Sequence, residues 1–455
     1  MSTDLLAELG RKIDETAPTL ARLDTYWTGS QPAAFLSPVA VEALGNRLRT
    51  LTVNFPRLAV TSLAERLQVT GFRTAPDDPG DDSLWRVWTA NRMQDASAQA
   101  HVEALVYGRS FVIVWAGRTP DLPRVTVESA RQVAVARDPA TRDVTAAVKR
   151  WTANNRAHAT VFQPERITRY VSQAFIPEGG SLPPTVTGWV TAEVIPNPLG
   201  VVPVVPIVNR GRLLDTDGVS EMADLLDLAD AITKLHTDAL VTSEYYARPR
   251  RWVTGLEIVE DAKGNAINPF ADEAGRVWQS EAPETKFGQF DPARLDGYGD
   301  LIATLTQEVG ALSGLPPHYL GLHGDQPASA DAIRSAEASL VARAFERQRT
   351  FGQSWDEVAR LIVAVRDGVD PSSVDVSTVW ANPETRTPAQ AADAAAKLAG
   401  IGVPLATLLA DQLGYTPAQI ERIEAIRERE AADPITASLL RSLDNTPPAT
   451  TEVTP

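Results

Sequence analysis

From Ser329 to Arg366 the chain carries one continuous helical pattern, and any fold it adopts must house a helix of that length. Ile333, Ala336, Leu340, Ala344, Gln348, Phe351, Trp355, Val358, Ile362 and Val365 recur at steps of three and four, with a single polar member. That spacing marks one face of an α-helix. Arg334, Glu337, Arg343, Glu346, Arg347, Arg349 and Glu357 fill much of the remaining surface, as expected of a helix buried along one side. Ser329 suits the N-cap, Asp331 the positive helix start, and Gly368 a stop just past Arg366. At about 1.5 Å per residue the helix runs on the order of 55 Å, enough to cross a domain. It is entered through a Gly- and Pro-punctuated loop, Gly314 to Ala328, which follows a shorter helix ending near Leu312.

Upstream, residues 1 to about 70 read as helices. Val41, Leu44, Leu48 and Leu51, then Leu58, Leu63 and Leu67, keep helical steps around Pro56. VTGFR, from Val69, suits a strand; the acidic turn after it lacks the ligand spacing of a calcium loop. Leu84 to Leu105 reads as one helix anchored by Trp85, Trp88 and Met93, stopping at Gly108 and feeding the strand SFVIVW. From Val125 to Ile207 strand-like runs follow one another: RVTVESA, QVAVARD, TAAVKRW, ATVFQ, RITRYV and TGWVTAEVI.

A second long helix is predicted from about Val219 to Ala247, with Met222, Leu225, Leu226, Ala229, Ile232 and Leu235 on its buried side. Residues 249 to 290 hold two strand candidates, RRWVTGL and GRVWQSE, around a polar loop, and helical spacing returns from Leu295 to Leu312. Beyond Gly368, DPSSVDVSTVW suggests a turn and a strand, and three short helices follow, split near Gly402 and Gly414. The end, from about Asp433, is rich in Thr, Pro and Ser and is expected to fray. The fold class is α+β and mostly helical.

Composition narrows the chemistry. Zero cysteines exclude disulfides and thiolate metal sites. No apolar run reaches the roughly 18 residues of a membrane span, and the acidic, amphipathic start MSTDLLAELGRKIDE does not read as a signal peptide. A net charge of -15 argues against tight gripping of nucleic acid, which needs clustered Lys and Arg. It does not argue against a surface that DNA slides past. Walker A, HExxH, CxxC and GxSxG patterns are absent.

His101, His158 and His236 stand alone, and an ordinary core or surface imidazole is the expectation for each. His318 and His323 share the loop before the long helix, but with only Asp325 near they make a thin ligand set for zinc. Glu221, Asp224, Asp227, Asp230 and Asp238 spread around the axis of the second long helix instead of converging on a metal. The residues assign no catalytic, cofactor or metal site.

LPPHYLG, a short Gly/Asp/Pro loop, PASADAIRSAEASL and FGQSWDE occur in that order. With them come FLSPVAVEALGNRLRTLTVNFPRLAVTSLAERLQVTGFR near the start and AHVEALVYGRSFVIVW around residue 107. Together these blocks resemble the portal proteins of tailed bacteriophages, especially siphoviruses of actinobacteria. No block is diagnostic alone; the resemblance rests on their co-occurrence over most of the chain. It implies a portal fold with the first part of the wing at residues 1–216, stem helices at 217–248 and 291–313, and a clip at 249–290. It also implies a channel loop at 314–328, a long wing helix at 329–367, a helical crown at 368–432 and a flexible tail at 433–455.

The resemblance implies no enzymatic activity and no cofactor. It implies a cyclic dodecamer at one capsid vertex, assembled in the host cytoplasm and carried in the virion. The implied partners are copies of itself, the major capsid protein and scaffold, the terminase large subunit, head-completion or neck proteins, and double-stranded DNA in the channel, with no membrane. In the channel loop it points to Pro316, Pro317, His318, Tyr319, Leu320, His323, Asp325 and Gln326. At the clip it points to Asp261, Lys263, Asn265, Asn268, Phe270, Asp272 and Glu273. The competing reading is a metal-dependent nuclease, or another carboxylate-based enzyme, using scattered Asp and Glu.

Overall fold

The computed structural model describes residues 2–32, 51–74, 81–176, 188–246, 251–255, 283–290, 295–322, 329–384, 388–415 and 417–432. The tail from Asp433 and the GRVWQSE segment lie outside them. The chain separates into two compact units. One comprises Met1–Gln31, Asn54–Leu226 and Gly310–Pro455; the other comprises Pro32–Val53 and Asp227–Val309.

The first unit opens with α1 (Ser2–Thr28) and α2 (Phe55–Ala64). Asn54 caps α2, its side chain accepting from the Arg57 amide at 3.0 Å, and Pro56 occupies the first turn. β1 (Val69–Arg73) follows, then α3 (Asp82–Ala90) and α4 (Met93–Tyr107). The stretch expected as one helix from Leu84 to Leu105 is therefore two. Arg92 takes φ +55 between them. Asn91 is tied to the neighbouring strand: its Nδ2 donates to Val87 O and Pro123 O at 2.9 and 2.8 Å, and its Oδ1 accepts from Val125 N at 3.1 Å. Trp88 and Met93 are buried on either side of the break, so apolar spacing does not register it.

The strands are β2 (Arg109–Trp115), β3 (Arg124–Ser129), β4 (Val133–Arg137), β5 (Val144–Ala153), β6 (Arg156–Phe162), β7 (Arg166–Ser172), β8 (Trp189–Pro196) and β9 (Val204–Val208). β3-β2-β9 form an antiparallel sheet with Trp115 opposite Arg124 and Arg109 opposite Val208; β4 to β8 form a five-stranded antiparallel meander. α1 lays Leu6, Leu9 and Ile13 on the meander against Ala146, Val148, Ala159 and Val161. There Arg150 makes a forked pair with Asp14, at 2.6 and 3.1 Å.

α5 (Leu226–Tyr246) starts later than the predicted Val219. The backbone of Val219 and Glu221 is committed elsewhere, donating to Asn209 O and Leu105 O at 2.9 and 2.8 Å, and a 3-10 turn at Ala223–Leu225 precedes the helix. The second unit contains a short hairpin, β10 (Arg251–Thr254) with β11 (Lys286–Gln289), and α6 (Asp296–Ser313) as far as Val309. The described partner of the RWVT strand is thus KFGQ. Trp252 faces Gly288, where a Cβ would stand 2.3 Å from the indole, so the register accepts only glycine without a shift.

α7 (Ala330–Asp367) is the long helix, capped by Ser329, whose Oγ accepts from Ala332 N at 3.2 Å, and stopped by Gly368 at φ +69. β12 (Ser377–Trp380) pairs antiparallel with β1, and α8 (Pro388–Gly400), α9 (Leu405–Asp411) and α10 (Pro417–Ala432) follow. Leu340, Ala344, Phe351, Trp355, Val358 and Ile362 of α7 are buried as expected, whereas Ile333 is 39% exposed. The polar member of the stripe, Gln348, is satisfied: its Nε2 donates to Arg66 O at 3.0 Å and Ala381 O at 2.9 Å.

α7 packs with β2, β9 and α3 around Trp355, which meets Trp88 edge-on at 5.1 Å. Trp355 Nε1 donates to His101 Nε2 at 2.8 Å in a fully buried pair. An indole N–H only donates, so that imidazole nitrogen carries the lone pair and the ring is neutral.

Burial holds the His101 pKa down to about 3, although the Leu67 backbone pulls it upward. In the unfolded chain the ring titrates near its ordinary 6.5, so between these values the unfolded state holds the extra proton. The contribution is complete above 6.5 and is lost as pH falls toward 3. Replacing His101 with Gln should flatten the loss of stability between about pH 6 and 4 by up to about 1.4 kcal/mol per pH unit. Urea titrations at stepped pH measure it, and parallel slopes for the two proteins would contradict it.

Candidate functional site

The joint between α6 and α7 is where the sequence concentrated its candidates, and the described part of it is tightly fastened. Gly314 sits at φ +71, and a Cβ there would come within 2.8 Å of both Arg343 Nε and Ser339 Oγ on α7. Only glycine meets both demands, of φ and of space. Pro316 is extended, and Pro317 opens a 3-10 turn from Pro317 to Leu320 that Gly321 ends at φ +72. Leu320 abuts Gly310 so closely that a Cβ on the glycine would lie 2.8 Å from Leu320 Cδ1.

Side chains of the turn reach back to two other elements. Tyr319 packs against the main core and its hydroxyl accepts from Arg66 Nη2 at 3.2 Å. The same Arg66 nitrogen lies 3.4 Å from Glu337 Oε2, and its Nη1 donates to Pro383 O at 2.6 Å. His318 Nε2 lies 3.7 Å from the other Glu337 oxygen and meets the Tyr319 ring edge-on. Glu337, expected on the helix surface, is instead buried at the centre of this cluster.

A second cluster holds the other side of the joint. Arg343 Nη2 donates to Leu312 O at 2.7 Å, and its Nη1 lies 3.5 Å from Glu221 Oε1. Glu221 Oε2 accepts from Arg347 Nη2 at 3.1 Å and from Asn209 Nδ2 at 3.2 Å. Arg347, also expected outside, is buried. Both charges can be inside because each has partners; a lone buried charge would be expelled or neutralised. Spacing held a hint of this, since Glu337 stands three residues before Leu340 and Arg347 four before Phe351, within the apolar stripe.

The structure brings Pro316, Pro317, His318, Tyr319 and Leu320 together in the joint. His323, Asp325 and Gln326 lie outside the described residues, as do the clip candidates Asp261, Lys263, Asn265, Asn268, Phe270, Asp272 and Glu273. Arg66, Glu221 and Arg343, which anchor the joint, carried no motif. Among the described residues no group of three or more His, Asp or Glu is placed to hold a metal ion, and no helix is long and apolar enough to cross a membrane.

Residues 9–433 match the family described as "Phage portal protein, SPP1 Gp6-like". The chain is 33% identical over 406 residues to the portal protein of Mycobacterium phage L5, with 84% of this chain and 79% of that protein covered. Its identity to the portal protein of Mycobacterium phage D29 is also 33%, over 400 residues, with the same coverage. A chain in the virion of a native gene transfer agent particle aligns at a TM-score of 0.45 and 14% identity, covering 85% of this chain and 96% of that one.

The Arg66–Glu337 pair should behave as a unit. Arg66→Ala strands a buried carboxylate and is expected to destabilise by about 3–5 kcal/mol. Removing both partners should cost less than the sum of the single changes by about 1–3 kcal/mol. Tyr319→Phe, which removes one acceptor, should cost about 1 kcal/mol. A double-mutant cycle in urea measures the coupling, and strict additivity would mean that the pair does not fasten the joint.

Proposed function

This chain belongs to the phage portal protein family, and on that premise we propose that it forms a twelve-copy ring at one capsid vertex, through which double-stranded DNA is packaged and later ejected. The observation that carries this reading is the family match extending from residue 9 to residue 433. The ring is contacted by the major capsid protein and scaffold, the terminase large subunit and later the neck proteins, and it is assembled in the host cytoplasm before becoming part of the virion. Energy for DNA movement comes from a separate ATPase.

Three of the five acids around the second long helix sit in ion pairs. Glu221 is held by Arg347, Asp224 by Arg210 at 3.0 Å, and Asp238 by Lys234. In our reading the loop of residues 314–328 faces the DNA. It contains no Lys or Arg. With His318 turned toward Glu337, the remaining polar side chains in the loop after Tyr319 are His323, Asp325 and Gln326. Weak contacts suit a sliding strand, because each strong ion pair to phosphate would slow it.

Cryo-EM of particles should count twelve copies around one vertex, and a vertex without a ring of this chain would overturn the reading. Particles carrying His323→Lys and Gln326→Lys should keep the ring yet package DNA several-fold more slowly. Unchanged packaging and ejection rates would remove the loop from the DNA path.

Residues 249–290 form the clip in this reading, a projecting segment that docks the terminase large subunit and then the neck proteins. Deleting residues 261–273 should spare ring formation while abolishing terminase binding in pull-down and DNA packaging in vitro. Normal packaging by the deletion variant would count against the assignment.

A further inference from the structure

The first unit loses the chain at Leu226 and regains it at Gly310. One side chain of α7, Arg343, holds both approaches. Its Nη1 lies 3.5 Å from Glu221 Oε1 ahead of α5, and its Nη2 donates to Leu312 O at 2.7 Å in the last turn of α6. In a continuing helix that carbonyl would accept from the amide four residues on. Here that residue is Pro316, which has no N–H to offer. Arg343 therefore supplies a donor that the local sequence withholds, and places a cation at the negative end of the α6 dipole.

This contact strands nothing when it parts. The Arg343 side chain is 32% exposed and Leu312 is 48% exposed, so water can take over both ends of the hydrogen bond. Glu221 is buried, but its other oxygen keeps Arg347 Nη2 at 3.1 Å and Asn209 Nδ2 at 3.2 Å. Its charge stays paired without Arg343. The Arg66–Glu337 pair behaves in the opposite way, because both side chains are buried and parting them leaves a carboxylate alone inside. Two arginines of similar appearance at one joint thus differ in kind: Arg66 is fixed, and Arg343 can let go.

We propose that Arg343 is a releasable latch, whose opening frees the last turn of α6, from Gly310 to Gly314, while α7 and the turn at Pro317–Leu320 stay in place. A local opening costs less than unfolding where few buried contacts are lost. Leu315, buried at 5% exposure, marks where this one stops, and Tyr319 beyond it is packed on the core and held by Arg66. Ionic strength sets how often the latch opens, since a partly exposed pair is screened by salt and a buried one much less. The latch is a property of the single chain and does not depend on the ring reading.

Hydrogen exchange of the full chain, read by mass spectrometry on overlapping peptides, tests it. The Gly314 amide, which donates to Gly310 O at 2.9 Å, and its helical neighbours are the reporters. Arg343→Ala should speed exchange over residues 310–314 by about tenfold, the loss expected of one charged hydrogen bond. Peptides over residues 317–322 and 351–363 should stay within about twofold of wild type, as a local opening requires. Raising NaCl from about 0.05 to about 0.5 M should speed exchange over 310–314 about threefold in wild type, and Arg343→Ala should lose that response. Arg343→Lys should fall between, because an ammonium offers a point charge where the guanidinium offers a fork. Unchanged exchange over 310–314 in Arg343→Ala would overturn the proposal, as would a wild-type rate indifferent to salt. Faster exchange along the whole of α7, or failure of Arg343→Ala to fold, would overturn it too, since Arg343 would then be as fixed as Arg66.

Discussion

A helix can carry charge into a protein interior only where each charge meets a partner there, and α7 is organised by that constraint. Its later half is mainly apolar: Phe351, Trp355, Val358 and Ile362 pack on the β3-β2-β9 sheet and α3, with the Trp355–His101 hydrogen bond buried among them. Its earlier half buries Glu337 and Arg347, and both are matched by residues from distant elements, Arg66 of α2's C-terminal turn and Glu221 ahead of α5. Apolar packing tolerates small slips along a helix axis, whereas paired charges do not. The charged pairs of the earlier half tie α7 to the elements around the joint at its start.

Much of this architecture was legible beforehand. Ser329 and Gly368 mark the ends of α7 because caps act through their nearest neighbours in sequence. What failed was set from a distance. The break at Arg92 depends on Asn91 reaching Pro123 and Val125, which no local pattern encodes. The late start of α5 depends on Val219 and Glu221 being drawn to Asn209 and Leu105. Glu337 and Arg347 were assigned to the surface because charge is ordinarily a sign of exposure, and their partners lie more than a hundred residues away. For the candidate site, five loop residues fell in the joint while their anchors went unrecognised. An anchoring arginine looks like any other until the fold brings its carboxylate to it.

Family membership gives these details their setting. In a chain of net charge -15, Arg66 and Arg347 are buried at this joint and Arg343 is partly exposed beside them. Paired in this way, buried arginines fix the joint without leaving a lone charge inside.

The pairing of β1 with β12 joins residues about three hundred apart, Phe72 facing Thr378 and Arg73 facing Ser377. During synthesis, at roughly 5–20 residues per second, β1 waits on the order of 15–60 s for its partner to leave the ribosome. Through that interval Phe72, fully buried at the end, belongs to an unpaired strand edge of the kind that invites pairing with other chains.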